Sequence, residues 1–318
     1  MEPFQSQHSE KWDRFVWQAN NGTIFHTRKF LGYHPPDRFE ERSLIILKNT
    51  KWIALLPAVV IEEKDKRILF SHRGASYGGF LHKHTLGVSD AFGIVQATLE
   101  YAKRQNFDGI DVTLPPQCYL YRPSDYIEFA MIQLGFYYRK REISSVIPLD
   151  FTADQILSTF SESSRRAVRR AQKLNVVVRK SEDYQTFYKI LKKNLQLRHN
   201  VHPTHTLDEL LLLKKMYPER IQLYAAFHDQ TMVAGVVLFL CNPHVVLAFY
   251  ISHDDDLQKY RGVNLLFHDI ILWGIEKKVN FLDFGIFTVN EDPNRGLAKF
   301  KESFGAQGIF RNSLRIHF

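Results

Sequence analysis

At 318 residues, with 45% hydrophobic and 14% aromatic side chains, the chain is long enough for two domains with cores of their own and too apolar to be disordered. A formal charge of +8 and a pI of about 9.3 favour acidic partners such as nucleotides, tRNA or anionic lipid head groups. Cys118 and Cys241 stand alone, outside any C-x-x-C spacing, which argues against both a disulfide framework and a cysteine-bound zinc.

The opening MEPFQSQHSEKWD has neither a basic start nor an apolar run, and the longest unbroken apolar run, Val236–Cys241, is far too short to cross a bilayer. A soluble, cytoplasmic protein without a transmembrane segment is predicted. Ser9–Ala19 places Trp12, Phe15 and Val16 at helical spacing behind a serine cap, and Asn20-Asn21-Gly22 ends that helix. Thr23–Phe25 reads as extended. The next stretch, HTRKFLGYHPPDRF, mixes His26, Arg28, Lys29 and Tyr33 with two prolines, a binding-loop composition. A hairpin of Ser43–Leu47 and Trp52–Ile61 follows, then a strand at Arg67–Phe70. In SHRGASYGGF, glycines including Gly78 surround His72, Arg73 and Tyr77. Such glycines serve either a close backbone approach to a ligand or a tight connection between strands. Ser89–Arg104 is an amphipathic helix, Phe107–Leu114 a buried strand, Tyr126–Leu134 a helix and Ile143–Leu149 a strand. A domain boundary is placed near Asp150, giving domains of 1–150 and 151–318.

The second half opens with helices at Asp154–Phe160 and Ser164–Leu174. On the latter, Ala167, Val168, Ala171 and Leu174 form one face, while Arg165, Arg166, Arg169, Arg170 and Lys173 cover the rest. That basic surface is either simply solvated or set to neutralise phosphates. Ser181–Leu197 is a further helix. His199, His202 and His205 recur every three residues, but Pro203 breaks any shared helical face, and Thr206 with Glu209 reads as a capping box, so no metal is predicted. Ile221–Phe227, Thr231–Cys241 and Val245–Ser252 form a three-strand meander, and a helix spans Leu265–Lys278.

The stretch Phe281–Ala306 reads strand, turn, helix. Leu297, Phe300 and Phe304 share one arc of its helix, and Lys301 falls inside that arc while Lys299 and Glu302 point away. An ammonium among apolar side chains either snorkels to water or has a partner and a task. The two halves repeat one order of elements: helix, hairpin, third strand, loop, helix, buried strand, helix. KRQNFDGIDV and EKKVNFLDFG occupy comparable places in it. The plan is α+β, with mixed, mainly antiparallel sheets flanked by helices and a cleft where the central strands splay. Asp283-Phe284-Gly285 spells the kinase triplet without the other kinase segments and is read as a strand end.

The tandem plan, the segment RRAVRRAQKLNVVV, the strand NFLDFG and the close GLAKFKESFGA resemble the FemAB-like branch of the GCN5-related N-acyltransferase (GNAT) superfamily. The resemblance covers nearly the whole chain and is most specific over residues 160–306. It implies two tandem GNAT-like units, of which only one need be active, and transfer of an acyl or aminoacyl group to an amine of a peptidoglycan or other cell-envelope precursor. It also implies a donor that is aminoacyl-tRNA or acyl-CoA, with no tightly bound cofactor, and maps the functional Phe-Lys pair of the ligases onto Phe300 and Lys301.

In Arg261-Gly262-Val263-Asn264, the sequence is close to the turn with which acetyltransferases of the superfamily cradle the coenzyme A pyrophosphate. Asn264 departs from the small residue usual there, and Asp254, Asp255 and Asp256 lie upstream; both features weigh against coenzyme A. Lys301 is then the candidate for stabilising the oxyanion of acyl transfer. Phe300 would orient the helix and offer its backbone, and Asp283 would receive the amine proton or serve as a structural carboxylate. The acceptor, a nucleotide- or lipid-linked precursor, is expected between the halves against Lys29, Tyr33, His72, Arg73, Tyr77 and Gly78. Arg165, Arg166, Arg169 and Arg170 would hold a tRNA donor, or Arg261, Gly262 and Asn264 an acyl-CoA. A non-catalytic binder of nucleotide or tRNA on the same fold is the remaining alternative.

Overall fold

A computed structural model describes residues 1–35, 37–199 and 202–318, without the side chains of 197–199. It divides into two compact units. The first comprises Met1–Ile143, Asn290–Asp292 and Ile309–Phe318; the second comprises Ser144–Val289 and Pro293–Gly308. The division therefore falls at 143/144 rather than near 150, and the chain's last strand returns to the first unit. Among the described residues no helix is long and apolar enough to cross a membrane.

In the first unit, α1 (Ser9–Gln18) buries Trp12, Phe15 and Val16 as its spacing predicts. Gly22 follows where a Cβ would lie 1.8 Å from the Val16 carbonyl oxygen, so only glycine lets the chain turn back there. The predicted extension at Thr23–Phe25 is instead a 3-10 turn over Ile24–His26, in which the Thr23 and His26 side chains bond each other's backbone. Local side-chain bonds of this kind compete with extended structure. The predicted strand Trp52–Ile61 is two: β2 (Lys51–Leu56) pairs antiparallel with β1 (Leu44–Lys48), and β3 (Val59–Glu63) with β4 (Lys66–Ser71). The break falls at Pro57, which has no N–H to continue a ladder. β4 runs parallel to β5 (Gly109–Thr113), with α2 (Val88–Arg104) as the crossover and α3 (Tyr126–Gln133) packed on the same core. Residues Ser313–His317 close the unit antiparallel to β5.

The second unit takes in Ser144–Pro148 from the end of β6 (Tyr137–Pro148), then α4 (Glu162–Lys173). A strand not predicted from the sequence, β7 (Val176–Ser181), precedes α5 (Tyr184–His199) and α6 (Leu207–Met216). The capping box of Thr206 and Glu209 forms as predicted, and His205 Nδ1 lies 2.9 Å from the Tyr250 hydroxyl; the His199 side chain is outside the described residues. The predicted meander is present as β8 (Ile221–His228), β9 (Thr231–Leu240) and β10 (Val245–His253), with β7 antiparallel to β8. α7 (Gly262–Glu276) starts three residues earlier than predicted and leads to β11 (Phe281–Ile286). α4 and α7 share one face of the sheet with a core that includes Val168, Ala171, Leu266, Phe267 and Ile270. On the other face Gly235 admits the Phe187 ring of α5, 2.5 Å from where a Cβ would sit.

The parallel pairing of β10 with β11 covers only Val245–Leu247 against Phe281–Asp283. Beyond it β10 runs on to His253 and β11 to Ile286, so the two strands part. This is the splay anticipated from the order of elements, and it opens beside the N-terminus of α7 and the final helix, α8 (Arg295–Glu302).

Candidate active site

α8 begins at Asn294, whose side chain accepts from Leu297 N–H at 2.9 Å. Its helical period turns Lys299 and Glu302 outward and Lys301 inward, and Lys301 is only 2% exposed. The ammonium does not snorkel to water. It donates to the carbonyl oxygens of Gly285, at 2.7 Å, and Ile286, at 2.8 Å. Burial pulls its pKa from the ordinary 10.5 down to about 8, against the opposing pull of the Asp283 carboxylate. An ammonium has three N–H donors, and two are spent on these carbonyls.

Asp283 holds the other side of residue 285: its Oδ1 accepts from Gly285 N–H at 2.7 Å and from the Ser144 hydroxyl at 2.6 Å. Gly285 has φ +72° with nothing within 4 Å of a built Cβ, so glycine is required there by the backbone conformation and not for space. Asp283 is fully buried beneath this turn and is not part of the cavity wall described next. Phe300 packs edge-on against Phe304 and Phe267, at centroid distances of 5.2 and 6.4 Å. Both rings also touch Phe284 of β11, so the aromatic cluster fixes α8 over the strand end that Lys301 grips.

Phe300 reaches the wall of a cavity of about 910 Å³ in the same unit, bounded by α4, the end of β10, the start of α7 and α8. Arg166 and Arg170 line it from α4, and Arg261, Gly262 and Asn264 from the turn into α7. The two alternative donor elements of the sequence thus meet in one place. Arg165 and Arg169 do not share it; with Glu162 and Arg166, which borders both spaces, they line a second depression of about 520 Å³. Arg261 sits at φ 56° as the residue preceding α7, turning the helix start toward the cavity, where free N–H groups and the macrodipole favour anions. Gly262 serves packing: a Cβ there would be 2.7 Å from the Val233 side chain and 3.2 Å from the Ala226 Cβ.

Both features that weighed against a phosphate group look different in three dimensions. The Asn264 amide leans toward the Ser164 hydroxyl, at 3.5 Å, which itself donates to Ser303 at 2.9 Å, linking α7, α4 and α8. Of the upstream acids, Asp256 pairs with Lys193 at 3.0 Å and Asp255 with His253 at 3.2 Å, and neither lines the cavity. Ser164, Ser303 and His253 join the site without having been predicted from the sequence. The signal for His253 was strand alternation, since it follows Ile251 on the same face of β10.

In the first unit the segments carrying Lys29 and Arg73 do meet: His26 Nε2 is 3.0 Å from the Gly78 carbonyl oxygen and His34 Nε2 is 3.0 Å from that of Gly74. Lys29 and Arg73 are exposed. Tyr33 and Tyr77 are buried, the Tyr77 hydroxyl donating to that of Tyr119 at 3.2 Å under the Arg311 guanidinium. His72 is 4% exposed, and desolvation lowers its pKa to about 4. A Cβ at Gly78 would lie 2.3 Å from the Ser71 carbonyl carbon, so this glycine answers a close approach of backbone to backbone.

Residues 158–302 match the sequence profile of the acetyltransferase (GNAT) domain family. Sequence comparison with curated proteins gives no match. Among solved structures, FemX superposes with a TM-score of 0.73 at 13% identity, covering 100% of this chain and 98% of that one. The C-terminal domain of a candidate lysylphosphatidylglycerol synthetase from Agrobacterium fabrum gives 0.62 at 11% identity, covering 98% and 91%. A tandem GNAT protein from the clavulanic acid biosynthesis pathway gives 0.56 at 10% identity, covering 99% and 97%.

Proposed function

We propose that this chain, an acyltransferase that carries a GNAT domain in a FemAB-like tandem fold, moves an acyl group from a phosphate-bearing donor to an amine of a cell-envelope precursor. The observation that carries the reading is the cavity at the start of α7, where Arg166, Arg170 and Arg261 converge beside Phe300 and the helix of Lys301. A donor's phosphates would sit against the guanidiniums and the helix N-terminus, the arrangement that backbone N–H groups and fork-shaped cations favour. The amine nitrogen attacks the donor's carbonyl carbon: the C–N bond forms, the bond to the leaving sulfur or oxygen breaks, and the proton shed by the amine ends on the leaving group. Between these events the carbonyl oxygen is an oxyanion. Lys301 does not itself line the cavity; in this reading it acts on the oxyanion by holding the Gly285–Ile286 backbone in shape.

Asp283 acts in this reading as a positioning residue, and the proton acceptor is left to the leaving group. The envelope acceptor is supported by the fold shared with FemX, and Lys29 and Arg73 offer exposed cations suited to a phosphorylated precursor. A second donor reading, aminoacyl-tRNA, is favoured by Arg165 and Arg169, which extend the basic surface of α4 outside the cavity. Transfer from each donor, measured against salt in wild type and in Arg166→Gln/Arg170→Gln and Arg165→Gln/Arg169→Gln, tests both. A compact donor should depend on the first pair alone, whereas a tRNA should lose affinity with either pair and show a flatter log–log salt slope, by roughly 0.7 to 0.9 for each phosphate that is no longer neutralised. Equal transfer in wild type and Arg166→Gln/Arg170→Gln would remove the cavity from the reading.

A further inference from the structure

Resting on the donor reading of the 910 Å³ cavity, the charges of its wall bear on what is transferred. The cationic side chains that line it are Arg166, Arg170 and Arg261, with His253 beside them, and among the described residues no aspartate or glutamate does. Of the carboxylates in the flanking segments, Asp255 pairs with His253 at 3.2 Å, Asp256 with Lys193 at 3.0 Å and Glu162 with Arg166. The rest of the wall includes Val233, Ile251, Leu257, Val263, Leu297 and Phe300. An aminoacyl donor carries an α-ammonium next to its reacting carbonyl. In this cavity that ammonium would leave water for a region of guanidiniums and hydrocarbon, where like charges repel more strongly than in bulk solvent.

We propose that the acyl group transferred by this domain is neutral and apolar, a chain of several carbons seated on Leu257, Leu297 and Phe300. In the transfer from a thioester, the C–N bond forms as the C–S bond breaks, the bonding pair leaves with sulfur, and the amine proton converts the thiolate to a thiol. The chain itself undergoes no chemistry; it supplies binding.

Isothermal titration of the full-length protein with coenzyme A, acetyl-, butyryl-, hexanoyl- and octanoyl-CoA, and β-alanyl-CoA tests this. Affinity should rise by about fourfold for each methylene fully buried until the apolar wall is covered. β-Alanyl-CoA, which matches butyryl-CoA in size but ends in an ammonium, should bind at least tenfold more weakly than butyryl-CoA. Leu297→Ser, at a position 37% exposed and so tolerant of substitution, should flatten the dependence of affinity on chain length. Affinity independent of chain length, or β-alanyl-CoA binding as tightly as butyryl-CoA, would overturn the inference. If coenzyme A binds wild type no better than Arg166→Gln/Arg170→Gln, the donor reading fails first and takes this inference with it.

Discussion

Raising the pH should make this protein more stable and less active over the same interval, with Lys301 as the cause. Its folded pKa is about 8 against an ordinary 10.5. Below pH 8 both folded and unfolded chains carry the proton, and the full cost of the buried ammonium is present. Between 8 and 10.5 the unfolded chain holds a proton that the folded one has released, so stability rises with pH. Above 10.5 both are neutral and the cost is gone. The difference is worth about 3 kcal/mol. In Lys301→Met that contribution vanishes, while the carbonyls of Gly285 and Ile286 lose their donor at roughly 1–3 kcal/mol each. At pH 7.5 the loss and the relief are of similar size, so the variant should fold. Denaturant unfolding of wild type and Lys301→Met at pH 7.5 and 10 isolates the effect, because the other titrating groups are common to both. Wild type should gain about 2 kcal/mol over the variant between those pH values, most of the full difference. Turnover should fall about tenfold per pH unit above 8 in wild type and by on the order of 10² at neutral pH in the variant. A stability difference that does not change with pH, or a wild-type rate that climbs through pH 9.5, would refute the buried-ammonium account.

Three further outcomes follow from the surroundings of this lysine and of the cavity. Asp283→Asn keeps an acceptor for Gly285 N–H and Ser144 but removes the carboxylate that opposes desolvation of Lys301; the alkaline limb of the rate profile should therefore move to lower pH, and an unmoved limb would separate the two residues. Gly262→Ala forces a Cβ to 2.7 Å from Val233 and should cost about 1–3 kcal/mol in denaturant unfolding, with Val233→Ala in the same chain restoring part of it. Phe304→Ala empties a fully buried site among four other aromatic rings and should cost about 3–5 kcal/mol, measured the same way.

Much of the frame is legible in local pattern. Turn residues at His228-Asp229-Gln230 and Asn242-Pro243 mark the meander, a capping box marks the start of α6, and the lysine inside an apolar arc is a buried one. Where expectation and structure differ, the causes are local too. Pro57 is visible in the sequence and divides what reads as a ten-residue strand. Thr23–Phe25 looks extended because the alternative, two side chains closing a 3-10 turn on each other's backbone, leaves no periodic trace. β7 escapes notice because, paired among the described residues with β8 alone, this edge strand exposes half its residues and carries the weak pattern Val-Val-Val-Arg-Lys-Ser.

The candidate site is legible in its parts and not in its assembly. Arg166 and Arg170 lie about ninety residues from the Arg261 turn and about one hundred and thirty from Phe300, and no spacing rule relates them. What brings them together is the packing of α4 on α7 over a shared core, a consequence of which faces are apolar. That same packing sends Arg170 to the cavity, Arg165 and Arg169 away from it, and leaves Arg166 bordering both spaces. Glycine makes the point from the other side. Gly262 and Gly285 look alike in the sequence, yet one is demanded by Val233 pressing on the helix start and the other by a φ of +72° at a residue whose N–H Asp283 holds and whose carbonyl Lys301 holds. A β-branched residue at 285 would find space and still be strained in its own backbone; at 262 a side chain is strained for want of space against Val233. The chemistry proposed for Lys301 depends on both, since the first sets the wall that the donor would meet and the second sets the carbonyls that hold the ammonium in place.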